Sequence, residues 1–532
     1  MKPIKILLVL TILGCILSCE RPSNLSYFEK QWPVPPPWSN VTDFETAVIG
    51  AYWIISGPQG YQYAFMNARL VLDAASGGLF NNSTNFASDS YMPDIYQRKN
   101  ELNNPWTDEA FAVPYMGIGS INDAITFLEK YPDNNPFPTD LKKDQLPRLE
   151  GELHFVRAFS WWVLSTLFPP MYVKGGANDD KIIPWRPKLP AGYAEAVGPE
   201  LATTKQIYDL MVSDLKIAIR LIPEKYVAGR DHQSFQFRRA NKYTAMAILA
   251  RVYMQMNEFD LAKKYCDTII NYSESTGTYS LTKDPIDAFN TADGTVYPGQ
   301  ETIWHYLQFD GDGIGSWKIM TSGRKMTTST YNNYVNSERL LCCSDKFLET
   351  VGWQDPATKQ PTAEALADKR YNQLYHRFLA SSDRPAGYPT PNDGVYEPVF
   401  TTTRAYVWGD KYFRNTTISR QKTNIPMVRL PEIYLTRAIL RFKAGDVPGA
   451  TSDVNKVNTR AGIPALAAVT ENDIHNERWK ELNFEGDRIT YLRSLHIDIP
   501  NGDRGAGSLA WNSPKWKWTI QLREKALNNS LG

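Results

Sequence analysis

The densest group of side chains that could do chemistry is Glu477-Arg478-Trp479-Lys480-Glu481-Leu482-Asn483-Phe484-Glu485-Gly486-Asp487-Arg488. Two carboxyls facing each other across an aromatic cleft, about 5–10 Å apart, would suit glycoside hydrolysis. The spacing argues for something else. Arg478 stands three residues from Glu481, and Glu485 three from Arg488, the separation at which opposite charges meet on a helix surface. The stretch therefore reads as a structural ion-pair helix whose members are Arg478, Glu481, Glu485 and Arg488. Other catalytic signatures fail. The six histidines (154, 232, 305, 376, 475 and 496) show no zinc-ligand spacing, and there is no G-x-S-x-G elbow. Asp310-Gly311-Asp312-Gly313-Ile314-Gly315 opens like a calcium loop, but Ile314 and Thr321 stand where oxygen ligands belong, so a turn is expected. No metal, no cofactor and no enzymatic activity are expected.

Binding chemistry is better represented. The chain holds 15 Trp and 29 Tyr against 22 Phe, and aromatics with a polar handle suit a face that is apolar in the middle and wet at its edge. Such a face can stack the C–H side of a sugar while Asn, Asp, Arg or Gln at the rim take its hydroxyls. The stretch Asp310 to Ser337 carries Asp312, Trp317, Arg324, Tyr331, Asn332 and Tyr334. The stretch Phe80 to Tyr96 adds Asn81, Asn82, Tyr91 and Tyr96. These ten are the candidate ligand residues. Trp304, in a strand-like stretch from Glu301 to Phe309, is expected in the core.

The elements that must hold these segments are helical. Apolar residues recur at helical spacing over 149–168, stopped by Pro169-Pro170, and over 205–221. Two helix pairs follow, 239–256 with 260–270 and 430–443 with 448–458. They superimpose at a constant offset of 188: Ala250 on Ala438, Ala262 on Ala450, Cys266 on Val454, Ile269 on Val457. Small residues at matched positions let helices approach closely, as in tetratricopeptide-like arrays. The fold class expected is mainly α, with such pairs as a scaffold, long loop-rich insertions and little β. Between the pairs, 271–337 and 351–428 are rich in Gly, Thr, Asn, Pro and Tyr. Cys266 and the adjacent Cys342-Cys343 read as packing residues rather than a disulfide framework.

The amino terminus is a leader. Lys2 and Lys5 precede an apolar run from Ile6 to Leu17, about 18 Å as a helix and too short for a bilayer of about 30 Å. Ile16-Leu17-Ser18-Cys19 then gives way to polar residues. An aliphatic residue three places before a cysteine, with a small one just before it, resembles a bacterial lipoprotein cleavage site, with Cys19 acylated; Cys15 is the competing position. Cleavage removes Lys2 and Lys5 and leaves 56 basic against 57 acidic side chains, which excludes the basic footprint of a nucleic-acid binder.

Several blocks together resemble the SusD/RagB family of outer-membrane nutrient-binding lipoproteins. Trp106, Tyr115 and Ile121-Asn122 resemble its early helical block, and Gly151 to Ala158 (GELHFVRA) its "GEA-x-FLRA" helix. Arg239 to Tyr253 resembles "AA-x-ALLARVY", and Asp368-Lys369-Arg370 a short D-x-R segment. Arg429 to Leu435 resembles "RLAEVYL", Val457 to Gly462 "VR-x-RAG", and Glu477 to Arg488 "ERR-x-ELAFEGHR", with Asp487 in place of the usual His or Asn. The resemblance implies a leader (1–18), a lipidated tether (19–40) and one helical domain (41–532). Its scaffold would lie mainly in 150–270 and 429–495, and its ligand-binding part mainly in 271–428. It further implies a non-catalytic lipoprotein in the outer membrane, facing the exterior and held only by its lipid. Its partner would be a SusC-like TonB-dependent transporter, and its cargo an oligosaccharide or, as in RagB-like members, a peptide. A secreted helical glycoside hydrolase and a helical-repeat scaffold for a protein partner are the competing readings.

Overall fold

A computed structural model describes residues 40–56, 64–81, 91–101, 103–130, 145–190, 198–227, 239–289, 300–306, 341–378, 406–409, 411–412 and 425–520, with single residues at 195, 231, 235 and 525. In chain order the first elements are α1 (Val41–Ser56), α2 (Ala64–Ala75), β1 (Leu79–Asn81), α3 (Met92–Tyr96), α4 (Pro105–Lys130) and α5 (Leu146–Leu167). Next come β2 (Lys181–Pro184), β3 (Leu201–Thr203), α6 (Thr204–Leu221), α7 (Lys242–Gln255), α8 (Phe259–Thr276), β4 (Thr302–Tyr306) and β5 (Leu341–Cys343). The short α9 (Asp345–Thr350), α10 (Ala363–Ala367) and α11 (Lys369–Leu374) lead to β6 (Tyr375–Phe378), β7 (Tyr406–Gly409) and β8 (Ile425–Arg429). The chain closes with α12 (Leu430–Lys443), α13 (Val447–Arg460), α14 (Glu471–Leu482), α15 (Arg488–Ser494), β9 (Ile499–Pro500) and β10 (Ser508–Leu509).

The scaffold is a continuous helical array. α4 packs on α5, α5 on α6, α6 on α7, α7 on α8, α8 on α12, and α12 on α13. α1 and α2 in turn pack on α4. The expected helices appear within three residues of their expected ends, except that α8 runs on past 270 to Thr276, and local chemistry sets the starts. Thr203 with Gln206, Asn241 with Thr244 and Thr470 with Asp473 form capping boxes at α6, α7 and α14. The internal repeat is real in space. Ala250, Ala262, Cys266 and Ile269, and their counterparts Ala438, Ala450, Val454 and Val457, are all buried in one core. The turns match as well: Asn257 (φ 56°) and Gly445 (φ 83°), 188 residues apart, take the same left-handed conformation between the helices of each pair.

The family-like blocks turn out to be packing and ion-pair devices. Gly151 lies where a Cβ would come within 2.9 Å of Leu221 and Ile222, so a larger residue would push α5 off the end of α6. Glu152 is fully buried between Arg148 (2.5 Å) and Arg239 (2.8 Å). Asp214 of α6 takes both a fork from Arg157 (2.7 and 2.8 Å) and a bond with His154 (2.7 Å). Arg157 also donates to Asn122 of α4. Trp304 is 4% exposed and packs edge-on to Phe155 and Phe159, as expected.

Strand content is small. β1–β5, β2–β3, β4–β8, β6–β7 and β9–β10 each form a two-stranded antiparallel sheet. Part of the insertion between the helix pairs, 341–378, is ordinary folded structure rather than loop.

Candidate functional site

Asp312, Trp317, Arg324, Tyr331, Asn332, Tyr334 and Asn82 lie outside the described residues, as does Cys19. Asn81 is the last residue of β1. Tyr91 is 45% exposed, and its carbonyl is held by Asn104 Nδ2 at 3.1 Å. Tyr96 differs from expectation. It is 5% exposed, with the Arg504 guanidinium 4.1 Å from its ring centroid, so its face is occupied by the protein itself.

What the structure supplies is the frame from which both candidate segments spring. β1 pairs antiparallel with β5, Leu79 opposite Cys343 and Asn81 opposite Leu341. The chain leaves β1 at Asn81 and enters β5 at Leu341, so the roots of 82–90 and 307–340 lie side by side. At its other end, 307–340 leaves β4 at Tyr306, opposite Ile425, where the chain enters β8. Two segments at least 217 residues apart in sequence thus meet at one sheet edge.

The carboxy-terminal turn 500–504 clamps this edge. Ser344 Oγ donates to Gly77 O (2.8 Å), and Ser344 N to Gly78 O (2.9 Å). The Asp503 carboxylate accepts from the backbone of Asp345 (2.9 Å) and Lys346 (3.0 Å), at the start of α9. Arg98 donates to Ala75 O (2.9 Å) and Pro500 O (2.8 Å), and Arg504 to Ala74 O and Tyr96 O. Two cations thus cap the carboxyl end of α2, where the helix dipole and unpaired carbonyls favour positive charge. Burial lowers both guanidinium pKa values, Arg98 to about 9 and Arg504 to about 10. Sequence reading passed over this clamp; the signal available was the turn Asn501-Gly502-Asp503-Arg504.

Beneath the frame lies a buried ionic lattice, and here the expected pairing is corrected. α14 ends at Leu482, so Glu485 sits in a turn and Arg488 begins α15. Arg478 does not pair with Glu481, nor Glu485 with Arg488. Arg478 forks onto Asp487 (2.8 and 2.6 Å), so the Asp that stands in place of the usual His or Asn is a paired residue. Glu481, fully buried, meets Arg429 (2.8 Å), Arg460 (2.7 Å) and Arg370 (3.8 Å). Glu485 meets Arg429 (2.6 Å), Lys411 (2.6 Å) and Arg69 (3.7 Å). Arg488 instead lies 4.0 Å over the Trp479 ring. Asp368 and Arg370, the short D-x-R segment, pair at 2.8 Å with neither exposed, and Arg370 reaches Glu477. Burial pushes the two glutamates up, but the surrounding cations outweigh it: Arg460, Arg429 and Arg370 hold Glu481 far below the carboxylate range, and Arg429 and Lys411 hold Glu485 at about 2. A general acid needs the opposite shift. No cluster of His, Cys, Asp and Glu among the described residues could hold a metal ion.

Comparison with known proteins gives a consistent result. The SusD family model matches residues 247–493, and the model described as starch-binding, associating with outer membrane, matches residues 51–254. No curated protein matches the chain. Among solved structures it is similar to a SusD superfamily protein from Bacteroides thetaiotaomicron (19% identity, TM-score 0.68, covering 92% of this chain and 98% of that one). It is also similar to one from Bacteroides vulgatus (18%, 0.70, 93% and 98%) and to surface glycan-binding protein A from Bacteroides uniformis (18%, 0.65, 92% and 98%).

Proposed function

We propose a role that starts from family membership: this chain belongs to the SusD/RagB family. It captures an oligosaccharide on an aromatic platform at the outer-membrane surface and passes it to a TonB-dependent transporter, breaking no bond. The observation that carries the reading is the β1–β5 register, which roots the two aromatic-bearing candidate segments next to each other on one sheet edge. A sugar ring stacks on Trp317 or Tyr331, and Asp312, Arg324, Asn332 and the Asn81-Asn82 pair take its hydroxyls. A shallow platform of this kind gives micromolar to millimolar affinity, about −4 to −8 kcal/mol, weak enough for release to a transporter. Lipidation at Cys19 holds the protein at the membrane; no helix among the described residues is long and apolar enough to cross one.

The test is a calorimetric titration of residues 20–532 against neutral and acidic polysaccharides and peptides. Saturable binding without product, lost in Trp317→Ala and Tyr331→Ala, is the expected result. Peptide binding alone moves the cargo to the RagB-like class, and cleavage of any ligand overturns the capture reading. Cys19→Ala should release the chain from the membrane fraction, and protease treatment of intact cells should digest the wild-type protein if it faces outward.

A further inference from the structure

A pocket lies between the segment after α5, the end of α15 and the stretch 511–517, with no residue of β1 or β5 in its lining. Its volume is about 470 Å3, within the range of small-ligand sites. Met171, 6% exposed, lines it from the core side. One wall is Trp511, whose indole is fixed from behind: the His496 ring stacks on it at 3.9 Å and 16°, and its backbone N–H donates to Asp498 (3.0 Å). A half-buried indole held rigidly against a pocket is a stacking surface with little left to order on binding.

The second wall is Arg493, whose guanidinium also lies 5.9 Å from the Trp516 ring centroid. It is 3% exposed and its Nε–H donates to Trp511 O at 2.9 Å. Its two terminal nitrogens carry no hydrogen bond, and it has no carboxylate partner, among the described residues. Buried arginines elsewhere in the chain, such as Arg157, Arg370 and Arg429, are forked onto carboxylates. Burial without a counter-charge lowers the Arg493 pKa to about 10. A buried guanidinium whose fork is unfilled and which lines a pocket is set to receive a planar anion. Lys517 adds a second cation to the wall, while the exposed Asp179 and Asp180 at the rim offer acceptors for hydroxyls and repel a heavily charged ligand.

We propose that this pocket is a second carbohydrate site, selective for a pyranose bearing one carboxylate, such as a hexuronate. The ring's C–H face stacks on Trp511, the carboxylate sits on the terminal nitrogens of Arg493 with Lys517 beside it, and the ring hydroxyls donate to Asp179 and Asp180. The site is independent of the platform proposed above and does not rest on it.

Galacturonate and galactose differ only in oxidation at C6, so the pair isolates the carboxylate. Both are titrated into residues 20–532 by ligand-observed NMR and calorimetry, with Trp511→Ala, Lys517→Ala, Arg493→Gln and Trp317→Ala as variants and melting temperature as the folding control. The expected result is saturable galacturonate binding, at least about tenfold tighter than galactose. Trp511→Ala should weaken it by at least about tenfold and Lys517→Ala by several-fold, with Trp317→Ala without effect. Folded Arg493→Gln should bind both sugars alike; if it fails to fold, the two surface-facing variants decide. Equal affinity for the two sugars, no saturation by galacturonate, or Trp511→Ala binding like wild type overturns the proposal. Loss in Trp317→Ala with Trp511→Ala intact places the uronate on the loop platform and also overturns it.

Discussion

Replacing Arg429 with methionine tests whether the buried lattice, rather than apolar packing alone, holds the two halves of the scaffold together. Arg429 is 1% exposed and its guanidinium reaches Glu301 (2.8 Å), Glu481 (2.8 Å) and Glu485 (2.6 Å). Methionine fills similar space without charge. It leaves Glu485 with Lys411 and Arg69, Glu481 with Arg370 and Arg460, and Glu301 with Arg460. Removing one member of a buried pair costs about 3–5 kcal/mol. A second route gives a similar size: burial would raise the Glu485 carboxyl, but Arg429 and Lys411 hold it at about 2 against an ordinary 4.5, which by linkage is about 3 kcal/mol. The folded-state value is depressed, so this stabilisation is complete above about pH 4.5 and is lost as pH falls toward 2. In the variant the deprived carboxyls take up protons at higher pH than in wild type. Its deficit is therefore largest at neutral pH and shrinks on acidification. Unfolding entropy of about 2 cal/mol/K per residue amounts to about 1 kcal/mol/K for a mature chain of this length. Scanning calorimetry of residues 20–532 should show Tm lower by about 3–5 °C at pH 7.5, with the gap much the same at about pH 5.5 and narrowing below about pH 4.5. A shift below about 1 °C at pH 7.5, or a gap that stays constant down to about pH 3, refutes the reasoning.

Three further outcomes are expected. Gly486→Ala puts a side chain at φ 73° with its Cβ 2.9 Å from the Arg69 Cα, and should cost about 2–4 kcal/mol in urea denaturation; an unchanged midpoint would show that the turn relaxes freely. Cys266, Cys342 and Cys343 are buried, and burial pushes the Cys266 thiol up to about 12. A thiol reagent should thus label none of them in the native mature protein and all three after unfolding. Asp503→Ala removes the acceptor at the start of α9 and should cost only about 1 kcal/mol globally. It should nonetheless raise amide exchange over 341–347 and weaken ligand binding several-fold; unchanged exchange there would separate the clamp from the platform.

The helical scaffold was legible because its signal is local. Apolar spacing, capping residues and the 188-residue offset each speak within one or two turns of chain, and Asn257 and Gly445 show that even the turn between helices repeats. The ion-pair cluster was legible in kind but not in detail. Counting three residues along Glu477–Arg488 presupposes an uninterrupted helix, and the left-handed Phe484 (φ 66°) and Gly486 (φ 73°) break it. The true partners of Glu481 and Glu485 come from α2, β8, α11, α13 and residue 411, contacts that no local spacing encodes. Tyr96 failed for a related reason. A tyrosine in a polar stretch looks available, and only the fold brings Arg504, 408 residues later, over its ring.

The arrangement separates stability from recognition. Glu485 and its cations tie α2, β8 and the turn before α15 together, while Asp73 of α2 accepts the Gly486 N–H at 2.9 Å. From the same helix, Ala74 and Ala75 are capped by Arg504 and Arg98 and lead within four residues into β1. α2 thus connects the ionic lattice to the sheet edge where the candidate segments begin. Buried charge pairs add little net stability over apolar packing, but a misplaced partner is costly, so they fix one arrangement against its neighbours. Geometry at the roots of these segments can therefore stay constant while the residues of the segments vary. On this account, exchanging residues 310–337 for another aromatic loop should change which ligand binds in calorimetry and leave Tm within about 2 °C of wild type. A collapse in Tm on exchange would mean that the loop, not the lattice, secures the edge.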